Sequence, residues 1–253
     1  MYTIFCRLCR RAGAVRFGSD ARGRQRYRCK KCKHTFTRRT NTVRSGSQLS
    51  EREWQEAARL FALRAGISGA DLGRFLRRGH KTGRKLNRAF RGLVAPLVPQ
   101  TLAGPTEWDE SVPVKRQWVV GGVSRLTRQC LMLRVENRSE RTLVPLVERH
   151  TGAESLIFTD EWGGYIGLMN HWTVCHEREF VNPMARFVHT NTQEGIWAHL
   201  KPLGWHTYRG FPRATLPSYL AEFMFRYNLP SYSQRVSVLS ALLSRKKINT
   251  LRV

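Results

Sequence analysis

The spacing of hydrophobic residues changes twice along the chain. Alternation over short segments predicts a small β-ribbon in residues 1–40, and helical spacing predicts a helical region in residues 48–98. Strand-like apolar segments separated by helical patterns then predict an α/β domain in residues 104–230. Residues 231–253 are expected to form a basic C-terminal tail. The pattern therefore predicts a multidomain protein whose largest part is the α/β domain.

Three helices are predicted in residues 48–98. Ser50 and Glu53 have the spacing of a capping box at the start of the first helix. Residues 65–76 are typical of the turn and second helix of a helix-turn-helix, and a third, basic helix follows at residues 81–91. Because basic residues on a recognition helix favour contact with DNA, four of its residues are candidates: Arg84, Lys85, Arg88 and Arg91. A three-helix packing unit is the alternative.

Strands and helices follow a definite order in the α/β domain. Strands are predicted at residues 106–110, 117–123, 129–135, 155–159 and 172–175, and helices at residues 141–147, 162–168 and 189–201. In the first of these helices, Thr142 is a possible cap and Pro145 is expected in the first turn. Three strands, a helix, a strand, a helix, a strand and final helices are the order of a ribonuclease-H-like sheet. In such an open sheet, sites lie at strand ends and adjoining helix termini.

The charge of the chain indicates its kind of partner. It has 44 Lys and Arg against 18 Asp and Glu, a net charge of +26, which favours a polyanion. With 41% hydrophobic residues and 7 Trp, the chain is not a disordered basic tail. We see no apolar segment long enough to span a membrane and no hydrophobic signal at the amino end. A soluble, cytoplasmic protein that binds nucleic acid, without a membrane partner, is therefore expected.

Four cysteines in the ribbon have the spacing of a zinc site. Cys6 and Cys9 form one CxxC pair, and Cys29 and Cys32 form a second pair after a spacer of nineteen residues. Four thiolates complete a tetrahedral Zn²⁺ site, so the predicted ion is structural. Disulfide bonds are the alternative, which the lack of a secretory signal disfavours. His34 is expected to be a bystander.

Basic residues are concentrated in the ribbon. The first fifty residues carry fourteen Lys or Arg against a single acid, Asp20. Phe17, Tyr27 and Phe36 lie among them, which favours contact with nucleic-acid phosphates over a merely solvated basic face. Within the second CxxC pair, the candidate DNA contacts are Lys30 and Lys31.

Three acids fall where such a sheet would place its site. Asp109 lies on the first strand of the α/β domain, Asp160 ends the fourth, and Glu194 lies in the first turn of a later helix. Hard oxygen ligands of this kind suit two Mg²⁺ or Mn²⁺ ions that act in phosphoryl transfer. Glu110 and Glu161 are adjacent alternatives.

Each of these residues also has a simpler explanation. Asp109 can flank a turn, and Asp160 can cap the helix that follows it. Glu194 and Lys201 return to one helix face two turns apart, which also describes an exposed pair on an amphipathic helix. Thr190 or Asn191 can cap that helix. The combination, in a protein with few acids, favours a catalytic site.

Several segments resemble a bacterial insertion-sequence transposase of the group related to Merlin elements. They are Trp108–Ser111, Phe158–Tyr165, His189–Trp197, Lys201 and Tyr219–Asn228. The resemblance covers the chain from about Cys6 to Asn228. It implies a zinc ribbon, a helix-turn-helix and a ribonuclease-H-like DDE domain. It further implies Mg²⁺-dependent DNA cleavage and strand transfer, terminal inverted repeats and target DNA as partners, and a homo-oligomer on DNA.

The resemblance also assigns roles by position. It makes Asp109 and Asp160 catalytic, and it places the third catalytic residue at either Asn191 or Glu194, because members of the group differ there. Lys201 is expected to hold a phosphate or the DNA end. Residues 111–115 depart from the usual aromatic and Gly-rich segment, and Pro202 is expected to end or kink the helix early.

Two other functions remain compatible with the sequence. An inactive or repurposed relative would act as a zinc-ribbon DNA-binding protein through its first hundred residues. A nuclease on the same fold would cleave DNA without joining it. Outside the site, residues 216–228 are expected to form a core helix, Cys130 and Cys175 to be buried thiols, and residues 245–247 to add a phosphate contact.

Overall fold

The computed structural model describes residues 3–114, 117–152, 154–174 and 189–244. Its first part is a three-stranded antiparallel sheet of β1 (Ala14–Ser19), β2 (Gln25–Cys29) and β3 (Thr35–Thr37). Tyr27 and Phe36 stack in its small core, with ring centroids 5.6 Å apart. These two aromatic rings are therefore buried packing residues, and the expectation that they join a phosphate-binding surface is corrected.

Three helices follow the ribbon, and a fourth from the end of the chain joins them. They are α1 (Glu51–Phe61), α2 (Gly69–Phe75) and α3 (His80–Val94). The capping box is confirmed, because Glu53 N donates to the Ser50 hydroxyl and Ser50 N donates to the Glu53 carboxylate. Residues 232–244, expected in a basic tail, instead form a helix whose Leu239 and Leu243 are buried in the same core.

Glycines allow α2 and α3 to cross at very short range. A Cβ atom added at Gly83 would lie 1.9 Å from the carbonyl oxygen of Gly69 and 2.6 Å from the amide nitrogen of Gly73. These are backbone atoms on the facing helix, so a side chain at Gly83 can be accommodated only if the helices move apart.

Replacing Gly83 by alanine is expected to destabilise the helical region by about 1–3 kcal/mol or more, because overpacking forces the backbone to shift. Gly92 on the same helix provides the control, since an added Cβ there meets nothing within 4 Å. Gly92→Ala should be neutral or stabilise by up to about 1 kcal/mol through helix propensity. Denaturant unfolding measures both variants. Equal stability of the two would contradict the close crossing.

The α/β domain contains a mixed five-stranded sheet. Its strands are β4 (Thr106–Val114), β5 (Gln117–Ser124), β6 (Cys130–Val135), β7 (Ile157–Asp160) and β8 (His171–Val174). They lie in the order β6-β5-β4-β7-β8. The first three pair antiparallel, whereas β7 runs parallel to β4 and β8 runs parallel to β7. The parallel strands β4 and β7 therefore run in the same direction, and β7 ends beside the middle of β4.

Helices cover this sheet and complete its core. They are α4 (Glu140–His150), α5 (Asn191–Pro202) and α6 (Leu216–Asn228), and the helix at Tyr232–Ser244 is α7. The expected core role of residues 216–228 is confirmed, since α6 buries residues from Leu216 to Arg226. Cys130 is a buried free thiol, as expected. Cys175 and residues 245–247 lie outside the described residues.

Several predicted boundaries were wrong. The strand expected at residues 106–110 continues to Val114, and the helix expected at residues 162–168 is only a 3₁₀ turn at Gly163–Tyr165. The N-cap of α4 is Ser139, which places Pro145 in the helix interior and not in its first turn. Pro202 ends α5, but a π-helical turn at Leu203–Thr207 continues directly from it. Helical backbone therefore continues past Pro202.

A buried ionic cluster joins the helical region to the α/β domain. Glu222 on α6 is fully buried and accepts hydrogen bonds from Arg91 Nε at 2.5 Å and from the Tyr208 hydroxyl, with Arg226 Nη2 2.6 Å from its carboxylate. Burial raises the pKa of Glu222, but the guanidiniums of Arg226 and Arg91 outweigh it and lower the pKa below its ordinary value. Arg91 also lies over the Tyr219 ring. It is therefore an interior residue, which corrects its expected DNA contact.

Among the described residues, no helix is both long enough and apolar enough to cross a membrane.

Candidate active site and zinc centre

Asp109, in the middle of β4, and Asp160, the last residue of β7, are neighbours on two parallel strands. In the pairing of β4 with β7, Thr106 lies beside Ile157 and Glu107 beside Phe158. Continuing the same register brings Asp109 beside Asp160. Residues at matching positions on adjacent strands point to the same face of a sheet. The two acids that lie 51 positions apart in sequence are thus placed on one face of the sheet.

The carboxylate of Asp109 is held in a partly buried, anionic environment. Burial is the main reason that its pKa is raised to about 7, and the charges of Asp160 and Glu110 raise it further. The Trp197 indole Nε1 donates a hydrogen bond to Asp109 Oδ2 at 2.7 Å, which acts in the opposite direction. Desolvated carboxylates close to one another suit a divalent cation, because the cation offsets their repulsion.

Glu110, the adjacent alternative, has different partners. It follows Asp109 on β4 and therefore points to the opposite face. The Tyr165 hydroxyl donates to Glu110 Oε2 at 2.7 Å, and Arg138 Nη1 lies 3.4 Å from Oε1. Its pKa is raised by burial and by Asp160. Both carboxylate oxygens of Glu110 therefore already have a protein partner.

Asp160 also has a local structural role. Its Oδ1 accepts a hydrogen bond from the backbone amide of Trp162 at 3.1 Å. This contact matches the simpler explanation of Asp160 as a residue that fixes the following turn, and no described residue bonds its other carboxylate oxygen. Glu161 lies beyond the end of β7 with an exposed side chain.

Helix α5 lies on the sheet face that carries Asp109. Gly121, the partner of Asp109 on β5, permits this approach, since an added Cβ there would lie 2.1 Å from Gln193 Nε2 and 3.0 Å from the Trp197 ring. Glu194 is in the first turn of α5, one turn before Trp197, and its side chain is exposed.

The remaining candidates on this helix are also exposed. Asn191 is the first residue of α5, and Lys201 lies in its last turn. Among the described residues, the four ribbon cysteines form the group of metal-ligand side chains that lie close enough together to hold an ion. Asp109, Asp160 and Glu194 do not form a second such set in the part of the chain that the structure describes.

Glu107 is a residue that sequence reasoning missed. It is fully buried, and its Oε2 accepts hydrogen bonds from the backbone amides of Thr192 at 2.9 Å and Gln193 at 3.1 Å. Arg125 Nε donates to its Oε1 at 2.7 Å. Since Glu107 lies two residues before Asp109 on the same strand, the two carboxylates share one face. That alternation was the available sequence signal.

The four cysteines of the ribbon converge as their spacing predicts. Their sulfur atoms all lie within 4.8 Å of one another, with Cys6 and Cys32 3.7 Å apart and Cys9 and Cys29 3.6 Å apart. Their thiols are free. The pKa of Cys29 is lowered to about 6, chiefly by a hydrogen bond from the backbone amide of Cys32. Four thiolate donors with no open position fit a structural Zn²⁺ ion.

The predicted basic contacts are mostly at the surface. Lys30 and Lys31 are exposed on the second CxxC turn, and Arg84, Lys85 and Arg88 are exposed on α3. Phe17 is also exposed, and Arg26 and Arg28 lie over its ring at 5.6 and 5.4 Å. His34 contacts the Cys32 carbonyl oxygen and does not belong to the cysteine cluster.

One comparison with known proteins bears on this site. Residues 106–228 match the family model of the ISXO2-like transposase domain. The matched segment is just under half of the chain, and it contains β4, β7, α5 and α6. The resemblance to an insertion-sequence transposase is therefore confirmed for this segment, and the cysteine cluster is consistent with a zinc ribbon before it. No curated protein matches the chain.

Proposed function

We propose that this protein is a DNA transposase that cleaves DNA at the ends of its element and joins those ends to target DNA. The observation that carries the proposal is the register of two adjacent parallel strands, whose continuation puts Asp109 on β4 beside Asp160 at the end of β7. The match of this segment to a transposase domain supports the same chemistry. The chain's large positive charge supports DNA as its substrate.

The fold assignments belong to the same proposal. A three-stranded antiparallel meander followed by two parallel strands, in the order β6-β5-β4-β7-β8, supports a ribonuclease-H-like domain. The close crossing of α2 and α3, with basic residues exposed on α3, supports a helix-turn-helix. In this arrangement the zinc ribbon and α3 bind terminal inverted repeats, and the α/β domain carries the reaction on DNA held by a homo-oligomer.

Asp109 and Asp160 fit Mg²⁺ or Mn²⁺, because they are hard, crowded oxygen donors. When bound, two such ions would activate the attacking oxygen and stabilise the leaving oxygen of an in-line displacement. Trp197 fixes the orientation of Asp109 through its Oδ2. Either Glu194 or Asn191 provides the third ligand from α5, and Lys201 contacts a phosphate of the DNA end.

Two displacements at phosphorus complete the proposed reaction. In the first, a water oxygen bonds to the scissile phosphorus while the bond from phosphorus to the 3′ oxygen breaks, and that oxygen gains a proton. In the second, the freed 3′ hydroxyl attacks a phosphodiester of the target DNA, loses its proton, and displaces the 3′ oxygen of the target strand. The number of phosphodiester bonds is conserved in the second step, so no external energy source is required.

Replacing Arg84 and Arg88 by alanine is expected to weaken DNA binding at all sequences. Each lost phosphate contact should reduce the slope of log affinity against log salt concentration by about 1. Arg149 on α4 provides an exposed control arginine in the α/β domain, and Arg149→Ala should change neither quantity. Fluorescence anisotropy across a series of salt concentrations measures the affinity and the slope for each variant. An unchanged slope for the double variant Arg84→Ala/Arg88→Ala would exclude α3 as a helix that contacts DNA.

An assay on labelled DNA carrying the element's inverted repeats tests the proposed function. The wild-type protein with Mg²⁺ should release the element end and join it to a target plasmid, and Asp160→Asn should do neither. A nuclease would cleave without producing joined molecules. A DNA-binding relative without enzyme activity would bind the repeats and leave them intact, and either result would overturn the transposase proposal.

A further inference from the structure

Glu107 holds the start of α5 against the strand that carries Asp109. Its Oε2 accepts both the Thr192 and the Gln193 amides, which are among the first backbone N–H groups of the helix. These groups have no partner within a helix, and the N-cap residue Thr190 provides no side-chain hydrogen bond to them. A carboxylate is also favoured here by the positive end of the helix dipole.

A second contact fixes the same helix further along. Trp197 lies five residues after Thr192, and its indole donates a hydrogen bond to Asp109 Oδ2 at 2.7 Å. Glu107 and Asp109 lie on one face of β4, so α5 is attached to this strand at two points. The residues proposed to complete the site, Asn191 and Glu194, lie at and between these points. The position of both relative to Asp109 therefore depends on Glu107.

The surroundings of Glu107 hold its carboxylate in place. Arg125 Nε donates to Oε1 at 2.7 Å, and Arg125 Nη2 donates to the His189 carbonyl oxygen at 2.5 Å. His189 Nδ1 lies 3.5 Å from Oε1. Arg125 thus links Glu107 to the segment that leads into α5. A buried carboxylate with this many donors is rigid, which is the property that a supporting residue of a metal site requires.

We propose that Glu107 is a positioning residue for the reaction, which sets the start of α5, and with it the third ligand, relative to Asp109 and Asp160. This inference rests on the proposed function. Beyond that function, it states that the length of the Glu107 side chain matters for the position of α5. Neutralising the charge of Arg125 is not sufficient. Substitutions that separate reach from charge therefore test it.

Glu107→Asp keeps the charge beside Arg125 and shortens the side chain by one methylene, so it should fold but fail to reach both amides. Glu107→Gln removes the charge at nearly constant shape. The matched control is Glu222→Gln, an equally buried carboxylate with arginine partners that contacts α6 and α3 and not α5. Each variant is compared with the wild type by thermal melting, so that effects on stability are known separately.

Hydrogen exchange without added Mg²⁺ gives a readout that is independent of activity. In Glu107→Asp, the amides of Thr192 and Gln193 should exchange faster than in the wild type. In Glu107→Gln, whose amide oxygen keeps the same reach, they should stay largely protected, and α6 should be unchanged in both variants. In Glu222→Gln, the same two amides should remain protected. Protection of Thr192 and Gln193 that survives in Glu107→Asp, or that is lost equally in Glu107→Gln, would overturn the inference.

Kinetics on bound DNA provide the second readout. For Glu107→Asp, kcat for cleavage should fall about 10–100-fold, the usual effect of removing a residue that supports a metal ligand, while KM for DNA stays within about twofold. Glu222→Gln should retain kcat in its folded fraction. A Glu107→Asp variant with wild-type kcat would show that the residue only balances Arg125. If the wild type itself cleaves no DNA, the proposed function fails, and the exchange result still decides whether Glu107 holds α5.

Discussion

Replacing Asp109 by asparagine is expected to abolish cleavage and to stabilise the protein in buffer without Mg²⁺. The loss of cleavage should be roughly a thousandfold or more, because a bound metal ion contributes several kcal/mol of transition-state stabilisation. Binding to DNA should be unchanged, since Asp109 lies on a strand of the sheet and not on the basic surfaces of the ribbon or α3.

The stability gain follows from the raised pKa of Asp109. Burial and the charge of Asp160 raise it from 3.8 to about 7 in the folded protein. Below pH 3.8 the carboxyl group is protonated in both the folded and the unfolded states, so it does not lower the free energy of unfolding. As the pH rises to about 7 the unfolded state is ionised first, and folding becomes less favourable. Asparagine removes this cost, which is largest above pH 7.

Thermal melting across this pH range measures the effect. Asp109→Asn should melt several degrees above the wild type at pH 8, and the difference should disappear near pH 4. Adding Mg²⁺ should raise the melting temperature of the wild type and leave that of the variant unchanged. Glu148→Gln, at an exposed position of α4, is the control. A variant that melts below the wild type at pH 8, or that still cleaves DNA, would contradict the assignment of Asp109.

Removal of zinc is expected to unfold the ribbon and leave the α/β domain folded. Structural Zn²⁺ sites contribute about 10–16 kcal/mol of apparent binding free energy, which is far more than a ribbon core of five buried side chains can replace. Replacing Cys29 by serine removes one of the four ligands, and it should eliminate the single bound zinc ion. Affinity for DNA should fall as well, because Lys30 and Lys31 lose their fixed positions.

Zinc content and hydrogen exchange measure this prediction. The wild type should bind one zinc ion per chain, and the strands β1 to β3 should lose protection in Cys29→Ser. Cys130→Ser replaces a buried thiol in β6 and should keep its zinc. A ribbon that stays protected in Cys29→Ser, or a wild type that contains disulfides and no metal, would exclude the zinc centre.

Local patterns were sufficient to predict the ribbon and the start of α1. The cysteine spacing and the capping box at Ser50 depend on residues a few positions apart, and geometry fixes what such residues do. The position of Asp109 on a strand and of Asp160 at a strand end also followed from local apolar patterns. Their placement side by side depends on the parallel pairing of β4 with β7. The order of strands and helices implied this pairing, but no local residue pattern indicated it.

Contacts between distant segments were not predictable in the same way. Arg91 was expected to face DNA because its helix is basic, but Glu222, its partner 131 residues later, draws it into the interior. Glu107 was missed because the amides that it binds belong to a helix 85 residues away. For α7 a signal was present, since Leu239, Leu242 and Leu243 have helical spacing, but the basic residues after them favoured a tail.

The most direct test of the account is a measurement of where divalent ions bind in the complex with DNA. The wild-type protein can be crystallised with the DNA of an element end, and the crystals soaked in Mn²⁺. Anomalous diffraction then shows where the ions bind. The account predicts a peak between Asp109 and Asp160, within coordination distance of both carboxylates, with Glu194 or Asn191 completing the ligands. Mn²⁺ found elsewhere on the protein, with both aspartates unliganded beside the scissile phosphate, would contradict it.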